Sequence, residues 1–144
     1  MTQSYSNDHA PFATAEGALA AGDRLRRAVL GDAYVDATRP SADDLHAPLV
    51  DLVTRYCWGE VWNRPALHPR TRSFINLGMI AALNRPHELK LHVRGALNNG
   101  ISPDEIVEVV LQVAIYCGVP AAVASMSVVR ETLSEDTARP RSAE

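Results

Sequence analysis

A chain of 144 residues with 47% hydrophobic and 22% charged side chains is large enough for one soluble globular domain with its own core. A net charge of −3 without a long basic block argues against nucleic acid as the main partner. No apolar run approaches the roughly 20 residues that span a bilayer, which argues against a membrane protein. The first residues lack the basic start and apolar core of a signal peptide, so a cytoplasmic protein is predicted.

The beginning of the chain predicts an arm followed by a capped helix. Residues 1–13 are expected to form a flexible N-terminal arm. Thr14 can cap a first helix, which runs to about Leu30 and ends at Gly31. Residues 14–133 are predicted to fold together as one helical domain.

A second helix is predicted to begin at Ser41, because Ser41 and Asp44 form a box-like helix start. Its apolar face carries, at helical spacing, Leu45, Leu49, Leu52, Val53 and Tyr56. The segment YCWGEVW, residues 56–62, is interpreted as an aromatic-rich turn that carries an acid.

The third predicted helix, from Arg70 to Asn84, is almost wholly apolar after its first turn. Pro65 and Pro69 mark the loop that precedes it. Its large apolar side chains are those of Phe74, Ile75, Leu77, Met79, Ile80 and Leu83. The helix is therefore expected to be buried on most of its sides.

A fourth helix is predicted from about His87 to Asn99, after Pro86. The fifth begins with the strongest start signal of the chain, Ser-Pro-Asp-Glu at residues 102–105, which offers a cap, a proline at the first helical position and a capping glutamate. It is expected to end at Cys117.

A sixth helix is predicted from Pro120 to about Leu133, and residues 134–144 are expected to form a polar, frayed tail. No strand-like alternation of apolar and polar residues is present. The predicted fold is therefore all-α, a single compact domain of about six helices.

The sequence offers no pattern for a metal or an organic cofactor. Cys57 and Cys117 lie 60 positions apart, the histidines are scattered, and neither a Gly-rich phosphate loop nor a nucleophile elbow occurs. A structural disulfide is not expected in a cytosolic protein. If the chain is an enzyme, it is predicted to work with side chains alone.

His92 is a candidate site residue because it shares a helical face with Leu89 and Ala96 and is predicted to point inward. From spacing alone, a core histidine hydrogen-bonded to the backbone is the more ordinary interpretation. The alternative is a proton-transfer group, since histidine titrates near neutral pH.

Glu60 is a second candidate because it stands between Trp58 and Trp62. One interpretation is a solvated residue whose aromatic neighbours dock on the core. If the rings instead enclose the carboxyl group, burial would raise its pKa and make it a plausible proton carrier. The sequence leaves both interpretations open.

Two arginines open the apolar third helix. Arg70 is interpreted as a solvated residue at the helix start. Arg72 lies one turn from Ile75 and Asn76, close to the expected core, where an unpaired charge is costly unless an anion meets it. An anionic partner is therefore expected for Arg72, which makes it a candidate binding residue.

The remaining candidates have simpler explanations. Glu105 is interpreted as a capping-box residue, and Glu108 as a solvated or inter-subunit partner of an arginine. Cys117 is expected to be a buried, inert thiol that lines a pocket, because no neighbouring base is evident.

Several features occur in a fixed order over residues 45–133: Arg72, Glu88 to His92, Ala96 to Gly100, Ser102 to Ile106, and Tyr116 to Ala122. In this order they resemble the carboxymuconolactone decarboxylase family of the alkylhydroperoxidase D-like superfamily, whose fold is a core of packed helices. The YCWGEVW stretch is typical of the decarboxylase branch.

The resemblance implies cofactor-independent decarboxylation of 4-carboxymuconolactone to the enol-lactone of 3-oxoadipate, in protocatechuate breakdown by the β-ketoadipate pathway. His92 would be the proton donor or oxyanion partner, and Glu60 the orienting group or second proton carrier. Arg72 would bind a carboxylate of this dicarboxylate lactone. Trp58 and Cys117 would complete the substrate-binding residues.

Two other functions remain open. Peroxide-reducing members of the superfamily carry a C-x-x-C pair, whereas this chain has only Cys117 at that place, which argues against dithiol chemistry. The second alternative is a non-catalytic, dicarboxylate-binding helical oligomer. The resemblance also implies a ring-like homo-oligomer, a trimer or hexamer, with its active site near a subunit boundary and the YCWGEVW segment helping to close it.

Overall fold

The computed structural model describes residues 14–39 and 45–138, and within these ranges the chain forms helices joined by short connections. The α-helices are α1 (Ala15–Leu30), α2 (Asp32–Ala37), α3 (Ala47–Leu52), α4 (Pro69–Ala82), α5 (Pro86–Asn98), α6 (Pro103–Cys117) and α7 (Val119–Ala138). No strand occurs in the described ranges, so the all-α prediction is confirmed. The helices group into two compact units, divided between Pro69 and Arg70.

The first unit begins as predicted and then departs from the prediction. Thr14 caps α1 by accepting a hydrogen bond from the N–H of Gly17 at 3.1 Å. Gly31, with φ of +88°, ends α1, but the chain resumes the helical conformation at once as α2. This six-residue helix brings the α-helices to seven over the described part of the chain, and it is too short to produce a detectable apolar period.

The YCWGEVW segment is helical, so its interpretation as a turn is wrong. Helix α3 continues directly into a π-helical segment, Val53–Trp62, which packs along α1. A side chain at Gly22 would meet the carbonyl oxygen of Thr54 at 2.0 Å, and one at Gly59 would meet the carbonyl of Ala18 at 2.1 Å. Gly59 therefore serves a close approach of two helix backbones rather than a turn.

The predicted apolar face of α3 is not buried within the chain. Leu45 is 95% exposed, and Leu49, Leu52 and Tyr56 are about half exposed or more. The predicted start of this helix at Ser41 and Asp44 lies outside the described residues, as does the predicted arm over 1–13.

The second unit is built around a core that α4 to α7 share. Its buried members are Leu77, Ala81, Leu89, Val93, Ala96, Ile101, Ile106, Val110, Val113, Ala122 and Val129. The prediction that helix α4 is buried on most of its sides is wrong. Leu77 and Ala81 face the core, whereas Ile75, Met79 and Leu83 remain exposed.

The helix boundaries of the second unit follow the local signals. Ser102 and Glu105 form the predicted capping box of α6: the Ser102 hydroxyl accepts from the N–H of Glu105, and the Glu105 carboxylate accepts from the N–H of Ser102. Helix α7 continues to Ala138, beyond the predicted end at Leu133. Ion pairs of Lys90 and Arg94 with Glu135 hold this last part against α5.

Among the helices of the described ranges, none combines the length and the apolar character needed to cross a membrane.

Candidate active site

His92 lies in the middle of α5 with its side chain half buried. Burial holds the pKa of the imidazole below its ordinary value of 6.5, and the nearby Glu88 carboxylate opposes this shift only in part. The ring is therefore neutral at neutral pH. A neutral imidazole still offers one N–H donor and one acceptor nitrogen, which suits it to bind a developing oxyanion or to accept a proton.

Glu60 belongs to the π-helical segment of the first unit, and its side chain is exposed in the chain. Trp58 and Trp62 are buried, 5% and 7% exposed, with their ring centroids 4.6 Å apart. The two rings thus pack on each other and do not enclose the Glu60 carboxyl group. Of the two interpretations that the sequence left open, the structure agrees with a solvated Glu60 whose aromatic neighbours are buried.

Arg70, interpreted from the sequence as a solvated residue, is 40% exposed but also makes specific contacts within the chain. Its Nη2 atom donates to both carboxylate oxygens of Glu105, at 2.6 and 2.7 Å, and its Nε donates to the carbonyl oxygen of Gly100 at 3.4 Å. The guanidinium carbon lies 5.1 Å from the centre of the Phe74 ring. The first turn of α4 is thereby tied to the start of α6.

Glu105 consequently has two structural tasks. The backbone N–H of Ser102 and the Arg70 guanidinium together hold the pKa of its carboxyl group below the ordinary value of 4.5. The carboxylate is therefore ionised at neutral pH. This agrees with the expectation that Glu105 is a capping residue rather than a catalytic one.

Arg72 lies two residues further along α4 and is half buried. Next to it, the buried Ser73 hydroxyl accepts a hydrogen bond from the Asn99 side chain at 2.9 Å, which fixes this turn of α4 against the end of α5. Arg72 therefore projects from a helix turn that is held on both sides, by Arg70 before it and Ser73 after it.

Cys117 is exposed in the chain, so the expectation of a buried thiol is wrong. It does line a cavity, a groove of about 420 Å³ between α4 and α6. The lining residues are Phe74, Ile75, Gly78, Val109, Gln112, Val113, Tyr116 and Cys117. Neither Arg72 nor His92 is among the described residues that line it, so the groove gathers only Cys117 of the predicted site residues.

Within the described residues, no group of three or more His, Cys, Asp and Glu side chains is arranged to hold a metal ion. Of the site residues predicted from the sequence, the second unit contains Arg72, His92 and Cys117.

Comparison with known families decides the identification. The sequence pattern of the Carboxymuconolactone decarboxylase family matches residues 47–131, which is more than half of the chain. The chain belongs to this family. The match includes α4 to α6 entirely and ends within α7, so it contains every site residue predicted from the sequence.

Two decarboxylases are similar in sequence to this chain. A nitrosuccinic acid decarboxylase of Metarhizium robertsii is 40% identical over 114 residues, which cover 79% of this chain and 80% of the relative. A 4-carboxymuconolactone decarboxylase of Acinetobacter baylyi is 35% identical over 114 residues, covering 79% and 85%. The prediction that the chain is a decarboxylase is confirmed.

The Arg70–Glu105 ion pair was not predicted from the sequence. The capping-box motif identified Glu105 but assigned its carboxylate only to the start of its own helix. The one signal available in the sequence was the position of Phe74, which follows Arg70 by one helical turn. No local pattern could indicate that Glu105, 35 positions away, would be its partner.

Proposed function

We propose that the protein catalyses cofactor-independent decarboxylation of 4-carboxymuconolactone to the enol-lactone of 3-oxoadipate, a step of protocatechuate breakdown. The observation that carries the proposal is the family match over residues 47–131, which contains a half-buried, neutral His92. The similarity to the Acinetobacter baylyi 4-carboxymuconolactone decarboxylase supports this substrate.

The reaction needs little chemical machinery. The departing carboxylate sits on a ring carbon that a C=C bond conjugates to the lactone carbonyl. When CO₂ leaves, the electron pair of the broken C–C bond moves through this system onto the carbonyl oxygen, and the resulting dienolate is then protonated on the ring. The protein must bind the second carboxylate, stabilise the oxyanion and provide the proton.

Arg72 and His92 take the two central roles in this proposal. The guanidinium of Arg72 binds the carboxylate that is retained, because its planar donors match two carboxylate oxygens. The neutral ring of His92 donates its N–H to the oxyanion that develops as CO₂ leaves. Its lowered pKa favours this role over that of a cationic proton donor.

Glu60, Trp58 and Cys117 have supporting roles. Glu60 is the orienting group or second proton carrier, and its carboxyl group is exposed in the chain. Trp58 remains a proposed substrate-binding residue, and its packing against Trp62 holds the helical segment that presents Glu60. Cys117 contributes to the wall of the α4–α6 groove, whose lining contains no charged side chain among the described residues. Such a surface suits the uncharged part of a substrate.

A second candidate substrate is nitrosuccinic acid, because the relative with that name is 40% identical to this chain. The two compounds share their essential chemistry. Each carries two carboxyl groups, and in each an electron-withdrawing group can accept the electron pair that CO₂ leaves behind. A nitro group would take the place of the conjugated lactone, with the same demands on Arg72 and His92.

Release of CO₂ from the two compounds, measured side by side with the purified protein, tests the proposal. We expect kcat/KM for 4-carboxymuconolactone to exceed that for nitrosuccinic acid by at least about tenfold, the factor that one well-placed polar contact contributes. The opposite preference would assign the second substrate. Binding of both compounds without CO₂ release would instead support the non-catalytic alternative.

The peroxide-reducing alternative has its own test. Only a redox enzyme is expected to lose free thiols rapidly and reversibly when treated with peroxide. Titration of Cys57 and Cys117 after a peroxide pulse, followed by reduction, measures this directly. Retention of both thiols over the period in which substrate is turned over would exclude dithiol chemistry.

A homo-oligomer, a trimer or hexamer, is part of the proposal. Exposed apolar side chains support it, since α6 alone presents Ile115 and Tyr116 at 79% and 77% exposure. Monomers rarely expose contiguous apolar patches larger than a few hundred Å². We expect light scattering to give three or six times the chain mass of 15.6 kDa.

A variant pair sharpens this prediction. Ile115→Asp places a charge in the exposed apolar face of α6 and is expected to reduce the mass of the assembly. Ala20→Asp places the same charge at an exposed position of α1 and serves as the control. A wild-type protein that is monomeric at micromolar concentration would contradict the oligomer.

A further inference from the structure

Arg70 joins three parts of the second unit through one side chain. It donates to the Glu105 carboxylate at the start of α6, donates to the Gly100 carbonyl in the α5–α6 connection, and lies over the Phe74 ring one turn further along α4. The Arg70 and Glu105 side chains are each 40% exposed, so their charge–charge attraction alone would contribute little. The combined contacts instead fix the geometry of α4 against α6.

The pair lies immediately beyond one end of the α4–α6 groove. Phe74 follows Arg70 by four residues and Val109 follows Glu105 by four, so each groove residue lies one turn along its helix from a member of the pair. Further along, a Cβ atom placed at Gly78 would lie 4.0 Å from the Val109 side chain, at ordinary van der Waals distance. From Arg70 and Glu105 to Gly78 and Val109, the facing positions move toward the C-terminal end of both helices. We therefore expect the contact of Arg70 with Glu105 to set the separation of α4 and α6 at this end of the groove.

The same contacts restrain the residue that the proposed function uses for binding. Arg72 lies two positions after Arg70 in the same turn of α4, and the Ser73–Asn99 hydrogen bond holds the other side of that turn. A displacement of a binding group by about 1 Å can cost on the order of a hundredfold in rate. The placement of Arg72 consequently depends on the contacts that anchor the start of α4.

We propose that Arg70 and Glu105 are a positioning pair for the substrate site: by joining the first turns of α4 and α6, they set the groove at Phe74 and the placement of Arg72. The inference rests on the proposed function for its kinetic consequence, but its structural consequence is independent of any substrate. The Glu105 carboxylate is already occupied as an acceptor for both Arg70 and Ser102, which suits it to positioning rather than to contact with the substrate.

Two substitutions in the capping box separate the effect of the Arg70–Glu105 pair from the effect of helix capping. Glu105→Gln keeps a side-chain oxygen that can cap Ser102, since glutamine is also accepted at this position, but removes the charge that Arg70 meets. Ser102→Ala does the reverse, because it removes the hydroxyl cap and leaves Arg70 and Glu105 unchanged. A purely structural role predicts the same effects from both variants, whereas a positioning role predicts different ones.

Fluorine NMR gives a readout that needs no substrate. The chain has only two phenylalanines, Phe12 and Phe74, so protein labelled with 4-fluorophenylalanine has two resonances. The variant Phe12→Leu assigns them. We expect Arg70→Gln and Glu105→Gln to move the Phe74 resonance and leave that of Phe12 in place, and we expect Ser102→Ala to leave both unchanged.

Kinetics with the better of the two substrates gives the second readout. We expect Arg70→Gln and Glu105→Gln to raise KM about tenfold with kcat within about threefold, and the double variant to be no worse than either single variant. Arg70→Lys should lie between wild type and Arg70→Gln. It keeps a charge for Glu105 but loses the donor to Gly100 and the planar group over Phe74.

The outcomes are distinguishable. If Phe74 keeps its resonance in both charge-removing variants, or if KM does not change while Phe74 moves, the positioning role is wrong. A Ser102→Ala variant that reproduces the rise in KM would make the effect one of helix capping. If the wild type releases no CO₂ from either compound but Phe74 responds as expected, the proposed function fails and the coupling of the pair to the groove stands.

Discussion

His92→Gln is expected to lower the turnover of 4-carboxymuconolactone by about 10²–10⁴-fold and to leave the fold intact. Glutamine fills a similar volume in the half-buried position on α5 and can form hydrogen bonds, so the helix should pack as before. It cannot exchange a proton near neutral pH, and it does not present a donor with the geometry of the ring. The measurement is kcat for CO₂ release by protein whose folded fraction is checked by thermal melting.

The control is His87→Gln, the same substitution at an exposed position in the first turn of the same helix. It should retain wild-type turnover. A His92→Gln protein that melts far below wild type, yet keeps its specific activity per folded molecule, would make His92 a core residue without a chemical role.

The pH dependence separates the two roles that the sequence left open for His92. Because burial holds its pKa below 6.5, the ring is neutral at neutral pH and becomes charged only as the pH falls through that lowered value. If the neutral ring is the active form, kcat/KM decreases as the pH is lowered through this pKa. The decrease is expected to be absent in His92→Gln. A rise toward acid pH would assign the imidazolium as proton donor.

Arg72→Lys is the second change with a large expected effect. A lysine keeps the charge but cannot reproduce a planar, two-point contact with a carboxylate. Loss of one charge-assisted contact costs roughly 1.5–3 kcal/mol, which is about a ten- to hundredfold fall in kcat/KM. Steady-state kinetics on 4-carboxymuconolactone measures it.

The matched control for this variant is Arg85→Lys, at an exposed position just before α5. Arg70 cannot serve as the control, because its contacts with Glu105 and Phe74 give it a role of its own. Equal losses in Arg72→Lys and Arg85→Lys would mean that the overall positive charge, rather than a contact at Arg72, determines substrate affinity.

Strong local signals made the helix starts of the second unit predictable. The start of α6 was predictable to the residue because its signal is contained in four consecutive positions and acts through hydrogen bonds between near neighbours. The cap of α1 at Thr14 is of the same kind. The YCWGEVW segment was misinterpreted because Gly59 is a turn signal locally. Its actual function, the close approach to Ala18, depends on a helix 41 positions earlier.

The candidate site was also predictable only in part: the residues could be selected, but their burial could not. Residue identity and order along the chain were enough to select His92 and Arg72 and to place the chain in its family, because such motifs are properties of the sequence. Burial was not predictable, since the exposed stripe of α4 and the exposed Cys117 have the composition of core residues. Apolar periodicity indicates that a face will be covered, but not whether the same chain covers it.

The sequence by itself thus determined the all-α class, the capped helix starts and the chemical groups available for decarboxylation, because each follows from interactions within a few residues or from residue type. Only the tertiary structure decided that Arg70 meets Glu105, that the Trp58 and Trp62 rings pack on each other rather than around Glu60, and that burial keeps His92 neutral. The Arg70–Glu105 contact and the burial of His92 depend on which distant segment becomes the neighbour, whereas the contact of Trp58 with Trp62, four residues later, depends on the segment being helical. Partner choice and desolvation are properties of the packed chain and have no local pattern in the sequence.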